Sequence, residues 1–491
     1  MRALSPLASS ALFLALAGNS LAGQAPFSAS SPDVPISHRD RVYSAEQYSN
    51  TVTVVDPVDN RRVGVIRLGE PQPGNLSPLY RGQVLVHGMG FSPDRRTIAV
   101  VAIGSNAVVF IDTANNTVRH ITYVGRSPHE AFYTQDGSEI WVTVRGENYV
   151  SVIDSKTYQE KTRILVPNGP GMQIFSPDGQ FAYVCSSFTP ETVVVSVADH
   201  SIVGHVPQAS PFCPNIAATP DGDQVWFTLK DSGKVEVFNA RPPFQVLRTI
   251  DTGPITNHVT FVRKPSGTLA YVTIGGLNIV RVFRTGDFAE VAAIRTGDLP
   301  HGIWPSGDGS RVYVGLEGAD RLLAIDTASN RIVASVPIGQ APQAVNYVPD
   351  ALPEGEATTR SNPAGEASLG TAGRELSLAL GSVPAPRLGS AKPATTVSLY
   401  DQGLTQVLEA AVTRLKPGAP YVIALSRERD GSGTLQPLAQ FRTNASGAAI
   451  VNAVGPIRQV VRPGGPTERR YLVIVPGNGD RLGKPVQVQT N

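Results

Sequence analysis

The feature that most constrains this chain is a repeat. Residues 50–56, 106–112, 148–154 and 320–326 align directly, each an alternating apolar run that starts at Asn or Asp and ends in Asp. From Asp112 to Asp326 the spacing is five periods of about 43 residues, the length of a four-stranded propeller blade. Weaker copies fall near Ala198, Asn239 and Thr285. After each Asp comes a turn and a second alternating run, as in 62–68 and 331–337. A Gly/Pro element follows, then an apolar strand closed by a tight turn at 91–94, 175–179, 218–222 or 306–309. Asp at the turn start and Gly at positive φ are what such hairpins require. The next strand carries an aromatic signature: Trp141, Tyr183, Trp226, Tyr271 or Tyr313. Strands of four kinds, seven of each, predict an all-β, seven-bladed propeller over residues 38–350.

Closure of the ring is readable too. The first blade, from Arg41, lacks an innermost strand, and a spare one at 343–347 ends the repeats. Pairing the C-terminal innermost strand with the N-terminal blade hides both sheet edges. No amphipathic helix lies between the strands, which excludes a doubly wound α/β fold. The 47 Gly and 40 Pro fit a chain that turns at every strand end, and 17% charged residues fit blades stacked face to face.

These repeats resemble the YVTN-type (YncE-like) propeller repeats of exported bacterial and archaeal proteins. The likeness rests on the NTVxVID-like strand, the Pro-Asp-Gly turn and the Tyr-Val-Thr signature, over roughly 41–350. It implies a scaffold or binding protein of undefined ligand. More distantly the chain is similar to the propellers that carry haem d1 or the copper cluster of nitrous oxide reductase.

Outside the propeller, residues 1–22 have a signal-peptide pattern: Arg2, a short apolar run from Ala11 to Ala17, and small residues at Ser20 and Ala22. Gln24 stands near where a lipoprotein would carry Cys. This predicts a monomeric, periplasmic or secreted protein without a lipid anchor or transmembrane segment. Residues 351–393 read as a flexible linker, with 375–380 as a candidate strand. Residues 394–491 read as a small β-sandwich-like domain.

Four of the eight histidines, His87, His129, His258 and His301, are expected at the start of innermost strands, in one register with Met172, Asn215 and Gln343. Strands starting there ring the central channel at one face. Glu130, Arg145, Glu147, Lys230, Asp231, Glu317 and Asp320 are expected at the same mouth, as is an insertion over 70–84. Imidazoles converging on a channel suit a transition metal, copper, zinc or iron; the competing reading is repeat consensus. Cys185 and Cys213 end and begin strands at that face, which predicts a disulfide, with a thiolate ligand as the sharper alternative. No CxxCH is present, excluding covalent haem. A net charge of +2 without a basic run excludes a nucleic-acid footprint. The first expectation is an exported, non-catalytic propeller that binds a small-molecule ligand or protein partner across this face. The alternative is a periplasmic metal-dependent, copper-type oxidoreductase using the four histidines. A lactonase-like hydrolase is a third reading.

Overall fold

A computed structural model describes residues 34–70, 80, 82–355, 376–383, 393–402, 405–455, 457, 469–479 and 481–491. The signal-peptide reading, most of the 70–84 insertion and much of the linker lie outside them. Seven four-stranded antiparallel sheets follow one another along the chain, the blades of a propeller. Blade 2 is typical, with Val86–Phe91 innermost, then Thr97–Ala102, Ala107–Asp112 and Thr117–Tyr123. The three inner strands are buried almost throughout, whereas the outermost exposes most of its residues. That gradient follows from geometry: inner strands are covered on both faces by neighbouring blades, and outer strands diverge into solvent.

Blade 1 closes the ring. Its innermost strand, Pro342–Val348, comes from the end of the repeats and pairs with Arg41–Glu46, Tyr43 opposite Asn346. The hairpins use the expected chemistry. Ser176, Thr219 and Ser306 hydroxyls donate to Asp178, Asp221 and Asp308, and Gly179, Gly222 and Gly309 sit at φ 71°, 74° and 66°.

The C-terminal strands form one sheet that rolls on itself, not two separate layers. Its path runs Leu435–Arg442, Pro420–Ser426, Tyr471–Asn478, Gln487–Gln489, Leu376–Ser382, Thr395–Asp401, Gln406–Val412 and Ala449–Gly455, and its two end strands approach each other. Leu376–Ser382 lies within the segment read as linker. Leu378, Leu380, Val397, Leu408, Ile423, Leu472 and Ile474 fill the interior. Among the described residues one 3-10 turn, Gly275–Leu277, is the only helical element, and no helix is long and apolar enough to cross a membrane.

This domain sits on the propeller face that carries the starts of the innermost strands. Ser398 Oγ donates to the Gly318 carbonyl (2.6 Å), Gln340 Nε2 to the Asp401 carbonyl (3.1 Å) and Tyr48 Oη to Glu409 Oε2 (2.8 Å). Tyr400 Oη also donates to the Glu317 carbonyl. Ile255 and Leu299 of the propeller pack on Ala411 and Ala448.

Candidate functional site

A repeated latch sets the mouth of the channel. Each innermost strand is preceded by a residue at positive φ: Leu85, Ser127, Gly169, Phe212, Ile255, Leu299 and Ala341. At four blade junctions an Asn or Asp side chain from the preceding blade caps it. Asn50 Oδ1 accepts from Leu85 N (2.8 Å), Asn106 from Ser127 N, Asn278 from Leu299 N and Asp320 from Ala341 N (each 3.0 Å). Asn50, Asn106 and Asp320 are first residues of aligned repeats and Asn278 holds the same place in a weaker copy, so the repeat motif itself positions the site.

Counting two residues on from each latch gives the true register: His87, His129, Gly171, Pro214, Asn257, His301 and Gln343. His258, Met172 and Asn215 stand one position later, alongside Gly88, Glu130, Gly302 and Ala344. The expected single register of four histidines is therefore corrected to three plus one. The strand pairing agrees, since Val259 opposite Val272 corresponds to Ala131 opposite Val142, placing His258 level with Glu130.

The offset does not separate the rings. His87 and His129 centroids are 4.5 Å apart, His258 and His301 4.8 Å, and His87 and His301 6.3 Å. All four are buried, between 3% and 7% exposed. Nδ1 of His87, His129 and His301 and Nε2 of His258 have no hydrogen-bond partner among the described residues. Burial pulls all four pKa values below the ordinary imidazole value, His258 to about 3, and the nearby Lys230 charge adds to this for His87, His258 and His301. The rings are thus neutral, each with one nitrogen able to offer a lone pair.

Charged groups frame this cluster. Glu130 is 2% exposed and lines a narrow channel cavity with Met89, Met172, Asn215 and His258. Burial raises its pKa far above the usual carboxyl range. Glu317 Oε2 lies 3.8 Å from His301 Nδ1, while its Oε1 accepts from Gln343 Nε2 (2.8 Å). Arg145 and Lys230 lie over the Phe212 ring, 4.9 and 5.9 Å from its centroid. Desolvation lowers both, Arg145 to about 10. Asp231 joins the C-terminal domain instead, its carbonyl accepting from Ser446 N (3.3 Å). Glu147 does not reach the group: it turns outward to Arg126 (2.8 Å). Of the remaining histidines, His38, His200 and His205 pair with Asp56, Glu139 and Glu191, and His120 stacks on Tyr158.

Cys185 and Cys213 are joined by a disulfide, S–S 2.08 Å, and neither is a free thiolate. The bridge ties blade 4 to the approach to blade 5.

Sequence reasoning missed Glu409. It comes from strand Gln406–Val412 of the C-terminal domain, is 4% exposed, and lies close enough to Glu317 for the two carboxyl charges to interact. Burial and then the Glu317 charge raise its pKa well above the usual value. An acidic residue within the apolar run 406–412 was the available signal.

No family model matches the chain. It is 27% identical over 119 residues to Protein NirF of Stutzerimonas stutzeri, a match covering 24% of this chain and 30% of NirF, under a third of that protein's length. A functionally unknown protein from Desulfotomaculum acetoxidans DSM 771 superimposes with a TM-score of 0.53 at 15% identity, over 62% of this chain and 98% of its own. The dihydro-heme d1 dehydrogenase NirN in complex with DHE superimposes with a TM-score of 0.48 at 11% identity, over 86% and 78%. The superposition on the Desulfotomaculum acetoxidans protein concerns the fold alone; the site stands on its own geometry.

Proposed function

We propose that this chain is an exported propeller that binds a small-molecule ligand in its histidine-lined mouth, beneath the C-terminal domain. One observation carries the reading: four buried imidazoles each keep an unpartnered nitrogen. A buried polar atom without a partner costs about 1–3 kcal/mol, a cost that a bound ligand would offset. A small molecule is favoured over a docked protein because the C-terminal domain already packs on this face through Tyr48, Gln340 and Gly318. Lys230 and Arg145 add positive charge, so an anionic or metal-bearing ligand fits best. Export rests on the pattern of residues 1–22 and agrees with a disulfide, which persists in oxidising compartments.

The test is mass spectrometry of small molecules released from full-length protein taken from the exported fraction, beside the His301→Ala/Lys230→Met variant. A compound in near-stoichiometric amount with the wild type, and depleted in the variant, is expected. An equal amount in both, or none in the wild type, would overturn the reading.

A further inference from the structure

Blades 2 and 3 bring three potential ligand atoms to one point. One atom from each of His87, His129 and Glu130 lies within 4.8 Å of the other two, and His129 Nδ1 is 4.0 Å from Glu130 Oε1. All three side chains are more than nine-tenths buried. Nδ1 of both histidines is unpartnered, while the other ring nitrogen of His129 donates to the Gly171 carbonyl. That bond holds the His129 tautomer in which Nδ1 keeps its lone pair, the usual supporting contact of a ligating imidazole.

The surroundings are shaped to this group. A Cβ on Gly88 would lie 2.4 Å from Glu130 Oε2 and 2.1 Å from the His129 carbonyl, so only glycine lets the carboxyl lie against blade 2. His301 lies 6.3 Å from His87 between ring centroids, with its Nδ1 3.8 Å from Glu317 Oε2, and is not a fourth member of the group.

We propose that His87, His129 and Glu130 hold one divalent first-row transition-metal ion of borderline hardness, such as Zn²⁺ or Fe²⁺, through two imidazole nitrogens and one carboxylate oxygen. This rests on the reading of the mouth as a binding site and names the chemistry of what binds. Two imidazoles and a carboxylate are a set these ions accept, at bonds of about 2.0–2.2 Å, whereas soft ions prefer sulfur. Bonds of that length place ligand atoms roughly 3–3.5 Å apart, so the group closes by a shift of about 1 Å at the side-chain tips. Three protein ligands would leave coordination positions open on such an ion. A small molecule would enter there.

Chelator-treated full-length protein is titrated with Co²⁺ alone, read by its visible absorption, and then with Zn²⁺ in competition. One ion per chain is expected. His129→Ala and Glu130→Gln should each weaken binding by on the order of 100-fold, since even second-shell losses cost 10–100-fold. His205→Ala, at the surface on Glu191, should bind as the wild type does. Thermal unfolding establishes that the near-isosteric Glu130→Gln is folded. Absence of a one-to-one complex in the wild type, or wild-type affinity in both ligand variants, would overturn the assignment. Because this titration uses the metal alone, its failure leaves the small-molecule result standing, and the reverse also holds.

Discussion

Two arcs of one ring take the same backbone and use it differently. Blades 2, 3 and 7 place His87, His129 and His301 two residues after a positive-φ latch, and their Nδ1 atoms are buried without partners. Blades 4 and 5 place Gly171 and Pro214 at that position. There the Asn215 amide is satisfied: its Nδ2 donates to Met172 Sδ (3.2 Å), its Oδ1 accepts from Val259 N (2.9 Å), and the disulfide joins the two blades. One arc has the marks of a scaffold and the other those of a receptor. The lesson is that a repeat guarantees position, and the residue placed there decides whether the position stores stability or awaits a ligand.

The largest break in this comparison comes from the scaffold arc. Removing the bridge with Cys185→Ser/Cys213→Ser frees a loop spanning 28 residues in sequence, worth about 3–4 kcal/mol in the chain-entropy model. Denaturant unfolding should show that loss. A change below about 1 kcal/mol would mean that packing, not the bridge, holds blades 4 and 5 together.

A glycine pair sharpens the contrast. On the receptor arc, Gly88→Ala pushes into the His129 carbonyl and the Glu130 carboxyl. On the scaffold arc, Gly171→Ala meets the Cys213 carbonyl at 2.3 Å and Ser187 Oγ at 2.7 Å. Both should cost about 1–3 kcal/mol through overpacking. Gly88→Ala should also weaken Co²⁺ binding, because Glu130 can no longer hold its place. Equal Co²⁺ affinity in Gly88→Ala and wild type would argue against the cradle.

The fold was legible because it repeats. Each Asp-initiated turn and aromatic strand occurs several times over, so degenerate copies such as those near Asn239 and Thr285 are placed by their neighbours. Ring closure was legible for a topological reason: a missing strand at Arg41 and a spare one at 343–347 have one economical pairing. The site was legible only in part. The histidines stand out by type, but aligning them on themselves hid the offset of His258, which the latch residue Ile255 reveals. Glu147 follows the same strand as Arg145, yet Arg126 offers it a partner in solvent and it turns outward. The covering domain left no trace in the pattern. Tyr48 and Glu409 are 361 residues apart, and a contact between two different folds has no period to betray it.

That contact carries the smallest predicted effect, and its sign is what matters. Glu409 faces Glu317 across the domain boundary, with Tyr48, Tyr400, Lys230, Asp320 and His301 around the pair. Burial raises both carboxyls above their unfolded values, and Lys230 only partly offsets this for each. The folded chain therefore binds more protons than the unfolded chain between the ordinary carboxyl pKa and the raised ones, so this pair stabilises at acid pH and loses that contribution as pH rises. Glu409→Gln removes the share of the dependence that belongs to Glu409 while keeping an acceptor for Tyr48. At pH 3, below the ordinary carboxyl pKa, Glu409 is protonated in either state, and the variant and wild type should melt together. At pH 8 the variant should melt higher, by on the order of 2 °C. A variant that melts lower at pH 8 would mean that the Glu409 carboxylate is ionised and held by Lys230, making the boundary an ion pair in place of a protonated carboxyl.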